Sequence, residues 1–227
     1  MFATWCPPSE RVNVGRLVSR EDKVSSSYDG GCFRLDWWEP SDVQLPPNAP
    51  VILVLPGVVG KSTNVYIRHL ASHFARSWGW RVVAKCWRGI GAPLTTRRPE
   101  TWDKTALSDT LDAIRHVRKS LPDGVPMMGA GFSYGGFLLS TLVGSVPFEE
   151  HGLRAVVSMS GLFQMSAMMR HIAEQCKSTY SLANTKVTLH NYRKFKVVDT
   201  LSCTAADNIC SGARVGAACA TSGRDNG

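Results

Sequence analysis

The chain has 227 residues, of which 44% are hydrophobic and 19% are charged. This length and composition can support one large buried core, which excludes disorder throughout the chain. The formal net charge of +8 favours anionic partners such as phospholipid headgroups or nucleic acid. We find no run of about 18 to 20 apolar residues that could span a bilayer, and residues 1–8 are too short and uncharged for a signal peptide. We therefore expect a soluble or peripheral chain.

The cysteines indicate a reducing environment. There are seven of them, an odd number, widely spaced and without a C-x-x-C pair. This argues against a disulfide framework and against a zinc site. We therefore expect reduced thiols, in the cytosol or on a cytosolic membrane face, and no metal site.

The first predicted elements are a tight turn, a strand and a linker. Residues 28–31 are a turn signal, and in the following residues 32–38 Cys32, Leu35 and Trp37 are apolar positions among charged ones. This pattern predicts an edge strand that follows a tight turn. Residues 40–50 contain four prolines and no apolar periodicity, which predicts a linker.

Strands and helices alternate in the middle of the chain. Residues 51–55 are a continuous β-branched and leucine run stopped by Pro56 and Gly57, which predicts a strand buried on both faces. Apolar residues at helical spacing from Tyr66 to Trp78 predict a helix, with possible caps at 62–64 and an end at Gly79. Further strands are predicted at 81–86, 126–132 and 153–159, and further helices at 103–120 and 133–144. This order indicates a parallel sheet with helices on both faces.

The last 28 residues, 200–227, differ from the rest in composition. They contain three of the seven cysteines and no aromatic residue, and no period of 2 or 3.6 can be traced through them. Such a segment cannot bury enough apolar surface to offset its ordering entropy, so we expect it to be disordered. Its abrupt onset resembles the product of a shifted reading frame or an alternative splice.

A G-x-S-x-G motif provides the candidate nucleophile. Gly131, Ser133 and Gly135 form this motif directly after a predicted core strand and directly before a predicted helix. The nucleophile elbow requires this placement, because the serine occupies a strained turn and its neighbours must lack side chains for strand and helix to approach. We predict that Ser133 is the nucleophile. The alternative is an ordinary strand-to-helix turn with a capping serine.

A glycine-bounded loop is the second part of the candidate site. Gly57 and Gly60 bound the loop after the first core strand. Backbone N–H groups of this loop could bind an oxyanion together with the N–H of Tyr134, the residue after the nucleophile. We expect Val58 to be the loop donor. The alternative is a simple strand-to-helix turn.

With these motifs the chain resembles the α/β-hydrolase family, and within it the membrane-anchored lipase-like hydrolases described as abhydrolase domain proteins 1 and 3. The resemblance covers roughly residues 4–199. It is carried by Thr-Trp-Cys-Pro at 4–7, Asp-Gly-Gly at 29–31, Leu-Asp-Trp at 35–37, Leu-Pro-Gly at 55–57, Arg88-Gly89, Asp109 and the elbow.

The resemblance implies an α/β-hydrolase fold, a mostly parallel sheet with helices on both faces. It also implies a serine hydrolase of carboxylic esters, with a lipid ester such as an acylglycerol or phospholipid as substrate and no cofactor. The basic residues are explained by solvated surfaces or, alternatively, by docking on an anionic membrane surface, which would fit a lipase-like fold. The resemblance suggests a membrane-associated location, with a cytoplasmic one as the alternative. Nucleic acid is not expected, because no stacking aromatic positions or recognised module accompany the basic residues. The oligomeric state stays open.

The chain departs from the family at both ends. Relatives typically begin with a hydrophobic anchor helix and continue past the point where this chain ends. The family order is serine, acid, histidine, and too few patterned residues follow Met159 to provide the last two. We cannot assign the acid or the histidine, and His190 is the least excluded of the six histidines.

The predicted organisation is an N-terminal extension with an edge strand and linker at 1–50, a partial hydrolase core at 51–199 and a divergent tail at 200–227. A catalytically inactive, truncated form is the alternative to an active hydrolase.

Overall fold

A computed structural model describes residues 17–40, 44–58, 60–95 and 104–161. All of these residues belong to one compact unit. Two predictions lie outside the described residues: the disordered tail at 200–227 and the position of His190. Asp199, which directly precedes the tail, also lies outside them.

The described residues form six strands and four helices. In chain order these are β1 (Leu17–Ser25), β2 (Cys32–Pro40), β3 (Val51–Leu55), α1 (Val65–Trp78), β4 (Arg81–Cys86), α2 (Lys104–Lys119), β5 (Met127–Phe132), α3 (Tyr134–Ser145), α4 (Phe148–His151) and β6 (Ala155–Met159). Eight of the ten were predicted within a few residues of these bounds, from the strand at 32–38 to the one at 153–159. The strand β1 and the four-residue helix α4 were not predicted.

The strands form one six-stranded sheet in the order β1-β2-β4-β3-β5-β6. The pairs β4–β3, β3–β5 and β5–β6 are parallel, whereas β2 is antiparallel to both β1 and β4. The predicted mostly parallel sheet is therefore confirmed. All residues of β3 and β4 are buried, as expected for strands with neighbours on both sides.

The prediction that residues 32–38 form an edge strand is wrong. The strand β2 lies between β1 and β4, and β1 occupies the edge instead. The two strands pair along their whole length, from Leu17 opposite Pro40 to Ser25 opposite Cys32. The sequence hides β1 because its central residues are charged, so backbone pairing with β2 rather than an apolar run defines it.

Helices cover both faces of the sheet. Ala130 of β5 belongs to a buried cluster with Ile67 and Ala71 of α1, whose further members include Ile52, Val54, Val82 and Ala84. The neighbouring residue in β5, Gly129, faces the other way, and a Cβ there would lie 3.1 Å from Leu139 of α3. Because successive strand residues point to opposite faces, α1 and α3 pack on opposite sides of the sheet.

The helix α1 ends as predicted but begins differently. Gly79 adopts a left-handed conformation with φ of 66°, and its N–H and that of Trp80 bond the last carbonyls of the helix. Asn64 is the N-cap residue, yet its side chain accepts the amide of Lys61 at 2.8 Å rather than capping α1. The asparagine thus stabilises the loop that leads into the helix.

A buried ion pair ties α2 to the end of β4. Arg88 donates to both carboxylate oxygens of Asp109, with Nε 2.7 Å from Oδ2 and Nη2 2.6 Å from Oδ1. Its Nη1 lies 2.9 Å from the carboxylate of Asp29, in the turn between β1 and β2. Burial by itself lowers the pKa of Arg88, but the hydrogen bonds and charges of Asp29 and Asp109 raise it overall. The guanidinium therefore stays charged and links three segments of the chain.

Candidate active site

Ser133 forms a strained turn between β5 and α3. Its backbone has φ of 51° and ψ of −112°, a conformation that residues with a side chain rarely adopt. Ser133 and Ser160 are the two residues other than glycine with positive φ in the described ranges. The side chain of Ser133 is exposed at the carboxyl end of β5. Strain of this kind persists where the surrounding structure holds it, and it is common at functional sites.

The glycines on either side of Ser133 allow close packing of α3 on the sheet. A Cβ on Gly131 would lie 2.5 Å from the Cα of Gly136, in the first turn of α3. A Cβ on Gly135 would lie 2.6 Å from the backbone carbonyl carbon of Leu55 in β3. Because backbone atoms cannot move aside, both positions require glycine. The steric reason for the motif thus applies to this chain.

The loop after β3 lies beside Ser133. The strands β3 and β5 are parallel neighbours, with Leu55 opposite Gly131, so the two loops leave the same edge of the sheet. A Cβ on Gly57 would lie 3.7 Å from the Cβ of Ser133. The N–H of Ser133 donates to the carbonyl of Met159 at 2.8 Å, at the end of β6. The predicted elbow and the predicted loop are therefore brought together.

The loop from Gly57 to Gly60 is a closed turn. The N–H of Gly60 donates to the carbonyl of Gly57 at 2.8 Å. A Cβ on Gly60 would lie 2.6 Å from the Cβ of Pro56 and 2.8 Å from the hydroxyl oxygen of Tyr66. Gly60 therefore cannot be replaced without moving the turn. Val58 occupies its second position, and residue 59 lies outside the described residues.

The segment that follows this loop is held against β2 by Ser62. The hydroxyl of Ser62 donates to the carboxylate of Asp36, which also accepts the thiol of Cys86 at 3.3 Å and pairs with Arg34 at 2.7 Å. All but Arg34 are buried. Burial, and then the charge of Asp36, raises the pKa of the Cys86 thiol, which therefore stays protonated and donates.

Tyr134 places a helix terminus at the site. It is the first residue of α3, so its amide belongs to the positive amino-terminal end of that helix. Its ring is buried and packs at 5.5 Å from the ring of Trp87 and at 6.4 Å from that of Phe137. The amide of Tyr134 directly follows Ser133, which is the position that an oxyanion donor takes in a nucleophile elbow.

Aromatic side chains surround the loop. The ring of Tyr66 lies 4.7 Å from that of Phe132, and its hydroxyl oxygen accepts the N–H of Gly57 at 3.4 Å. Burial raises the pKa of this hydroxyl, which keeps it neutral. Trp87 donates its indole N–H to the carbonyl of Gly57 at 2.8 Å. Neither contact was predicted, although Trp87 directly follows β4 and Tyr66 lies in the first turn of α1, the helix that follows β3.

The four described histidines lie on the helices α1, α2 and α4. His69 and His73 lie on α1. His116 Nε2 lies 3.1 Å from Asp22, and His151 Nδ1 accepts the amide of Leu153 at 3.0 Å. None of these four hydrogen-bonds Ser133. Two carboxylates of α2 also have partners away from Ser133: Asp109 pairs with Arg88, and Asp112 accepts the amide and the hydroxyl of Ser27.

The described ranges contain neither a metal-ligand cluster nor a membrane-spanning helix. Within them, no group of three or more histidine, cysteine or carboxylate residues is arranged to hold a metal ion. No helix in the same ranges has the length and apolar character needed to cross a membrane.

Comparison with known proteins reveals both sequence relatives and structural neighbours. No family model matches the chain. It is 35% identical over 133 residues to phospholipase ABHD3 of Mus musculus, an alignment covering 57% of this chain and 31% of that protein. It is 33% identical over 153 residues to phospholipase ABHD3 of Bos taurus, which covers 63% and 36% respectively. The chain thus spans about a third of the length of these curated relatives.

The solved structure of the esterase Pf2001 of Pyrococcus furiosus superimposes with a TM-score of 0.56, at 12% identity, over 79% of this chain and 62% of that one. The chain has the fold of α/β-hydrolases and is similar in sequence to the ABHD3 phospholipases. The resemblance and the fold class inferred from the motifs are therefore confirmed. The sequence relatives are called phospholipases, and the structural neighbour is called an esterase.

Proposed function

We propose that this chain carries the nucleophile and the oxyanion hole of a carboxylic-ester hydrolase of the lipase type. The observation that carries this proposal is the backbone of Ser133, strained between β5 and α3 and exposed beside Gly57. A serine held in this way presents its Oγ to a carbonyl carbon above the edge of the sheet. Val58 and Tyr134 are the proposed oxyanion donors, because they follow Gly57 and Ser133 at that edge.

The proposed reaction has two steps. The Oγ of Ser133 attacks the ester carbonyl and loses its proton to a base, and the resulting oxyanion is stabilised by the amides of Val58 and Tyr134. The alkoxide then leaves with that proton, and the acyl group stays on Ser133. Water hydrolyses the acyl-serine to release the acid and restore the hydroxyl. The base and its acid partner are not assigned to residues of this chain.

A lipid ester is the proposed substrate. The relatives named above are called phospholipases, and apolar rings from Tyr66 and Phe132 lie close to the proposed oxyanion loop. An acyl chain has the matching apolar character. The net charge of +8 supports an anionic membrane surface as the place where such a substrate is met.

A second candidate function is that of a catalytically inactive form. It is favoured by the described histidines, none of which hydrogen-bonds Ser133. Removal of the histidine from a serine hydrolase costs about a millionfold in kcat, while the oxyanion hole and binding alone retain about a thousandfold over water. A chain without a base would therefore hydrolyse esters at a barely detectable rate.

The deciding experiment measures covalent labelling of the 227-residue chain by a fluorophosphonate probe, with the modified peptide identified by mass spectrometry. Ser133→Ala removes the proposed nucleophile. Ser160→Ala is the matched control, because Ser160 is also exposed and also has a positive φ, of 52°. A hydrolase is labelled at Ser133 and cleaves p-nitrophenyl esters, and Ser133→Ala abolishes both while Ser160→Ala changes neither. Absence of labelling and of turnover in the unaltered chain would refute the hydrolase and support the inactive form.

A further inference from the structure

We propose that Trp87 is a positioning residue, whose indole N–H holds the Gly57 carbonyl and thereby orients the Val58 amide as an oxyanion donor. This inference rests on the proposed function, since it assigns a task within the same site. Trp87 directly follows β4, and thirty positions separate it from Gly57 in the chain. The sheet brings the two together because β4 and β3 are parallel neighbours.

The geometry of the peptide bond explains how one hydrogen bond can act on the next residue. The described chain has no cis peptide bonds, so the carbonyl of Gly57 and the N–H of Val58 point in opposite directions within one plane. Trp87 Nε1 and the amide of Gly60 both donate to this carbonyl at 2.8 Å. Two donors on the oxygen side fix the plane and hold the Val58 N–H on the other side. The donor is therefore oriented before any substrate binds, which is the condition for strong oxyanion stabilisation.

The indole itself is held by rigid surroundings. Trp87 is 2% exposed, and the ammonium of the buried Lys85 lies 4.3 Å from its ring centroid. Its ring also packs at 5.5 Å against Tyr134, whose amide is the second proposed donor. One side chain thus contacts both halves of the proposed oxyanion hole. Trp87 lies at the end of a central strand, so we expect its replacement to displace both proposed oxyanion donors.

The competing explanation is that Trp87 only fills space. The substitution Trp87→Phe separates the two, because phenylalanine keeps an aromatic ring beside Lys85 and Tyr134 but has no N–H. Trp80→Phe is the matched control. Trp80 precedes β4 at the opposite edge of the sheet and packs with Phe74 and Trp78, away from the loop.

The first measurement is the rate of fluorophosphonate labelling of Ser133, analysed as a maximal rate and a half-saturating probe concentration. Loss of an oxyanion donor costs about 100- to 1000-fold, so a misdirected one should cost roughly ten- to a hundredfold. We expect Trp87→Phe to lower the maximal rate by that factor without changing the half-saturating concentration, and Trp80→Phe to change neither. An unchanged maximal rate in Trp87→Phe would overturn the inference.

The second measurement does not depend on reactivity. Hydrogen–deuterium exchange of the Gly60 amide reports the Gly57 carbonyl directly, because that amide donates to it. We expect about tenfold faster exchange in Trp87→Phe and no change in Trp80→Phe. If the unaltered chain is not labelled but exchange accelerates in Trp87→Phe alone, the hydrolase proposal fails and loop positioning by Trp87 stands. If exchange is unchanged, Trp87 does not hold the loop, whatever the labelling result.

Discussion

The substitution Asp109→Asn tests the buried ion pair that fastens α2 to the end of β4. Arg88 is 1% exposed and Asp109 is 0% exposed, and two hydrogen bonds of 2.7 and 2.6 Å join them. Removal of one partner from a buried pair costs about 3 to 5 kcal/mol, because the other charge is left without its counter-ion. Asp29 still lies 2.9 Å from Arg88 in the variant, so we expect a loss near the lower limit, about 3 kcal/mol.

The assay is urea unfolding at neutral pH, followed by tryptophan fluorescence and by circular dichroism. Glu150→Gln is the control, because Glu150 pairs with Arg115 at 3.4 Å while their side chains are 51% and 47% exposed. An exposed pair contributes less than about 1 kcal/mol, so the control should unfold almost as the original chain does. A loss below about 1 kcal/mol for Asp109→Asn, or equal losses in both variants, would refute this account of the ion pair.

Three further predictions concern packing, hydrogen bonding and pH. Gly135→Ala should cost about 3 kcal/mol in unfolding free energy and abolish labelling of Ser133, because its Cβ would meet the backbone of Leu55. Gly144→Ala in the same helix meets nothing within 4 Å and should stabilise by roughly 0.5 to 1 kcal/mol, and equal effects would contradict the steric argument. Trp37→Phe should lower the free energy of unfolding by about 1 to 2 kcal/mol more than Trp38→Phe does. The reason is that Trp37 Nε1 donates to Asp22 at 2.8 Å, whereas the buried Trp38 Nε1 has no acceptor among the described residues. Equal losses in the two variants would contradict this prediction. Burial by itself raises the pKa of Asp22, but hydrogen bonds from Arg20, His116 and Trp37 lower it overall, below the ordinary 3.8. The stability that Asp22 contributes is therefore present above about pH 4 and lost as the pH falls through its folded pKa. Asp22→Asn should thus weaken the pH dependence of the unfolding free energy below about pH 4. An unchanged pH dependence in this variant would contradict the stabilising role of the Asp22 carboxylate.

Local chemistry made much of the fold predictable. The strand β3 is a continuous apolar run because it lies in the centre of the sheet, and a window of five residues is enough to show this run. Gly79 marks the end of α1 because only glycine accepts its left-handed backbone at low cost. The elbow is similar, since a strained serine between glycines is a steric requirement confined to five residues.

Strands stabilised mainly by their neighbours were not predictable in the same way. The central residues of β1 are charged, so its pairing with β2 depends on backbone hydrogen bonds to a strand that the turn at 28–31 brings alongside. For this reason the position of β2 in the sheet was also mistaken. Strand order and direction are properties of the whole sheet, and a local pattern records only how each strand is buried.

The same distinction between local and long-range features applies to the candidate site. The sequence by itself determined Ser133, its flanking glycines and the loop from Gly57 to Gly60, because each is a short-range backbone requirement. Only the tertiary structure decided that Gly57 lies beside Ser133 and that the indole of Trp87 bonds the Gly57 carbonyl. These contacts join residues far apart in the chain, and they exist because parallel strands end at one edge of the sheet. A single sequence records the residue types at such positions, whereas the register of the strands decides which of them meet.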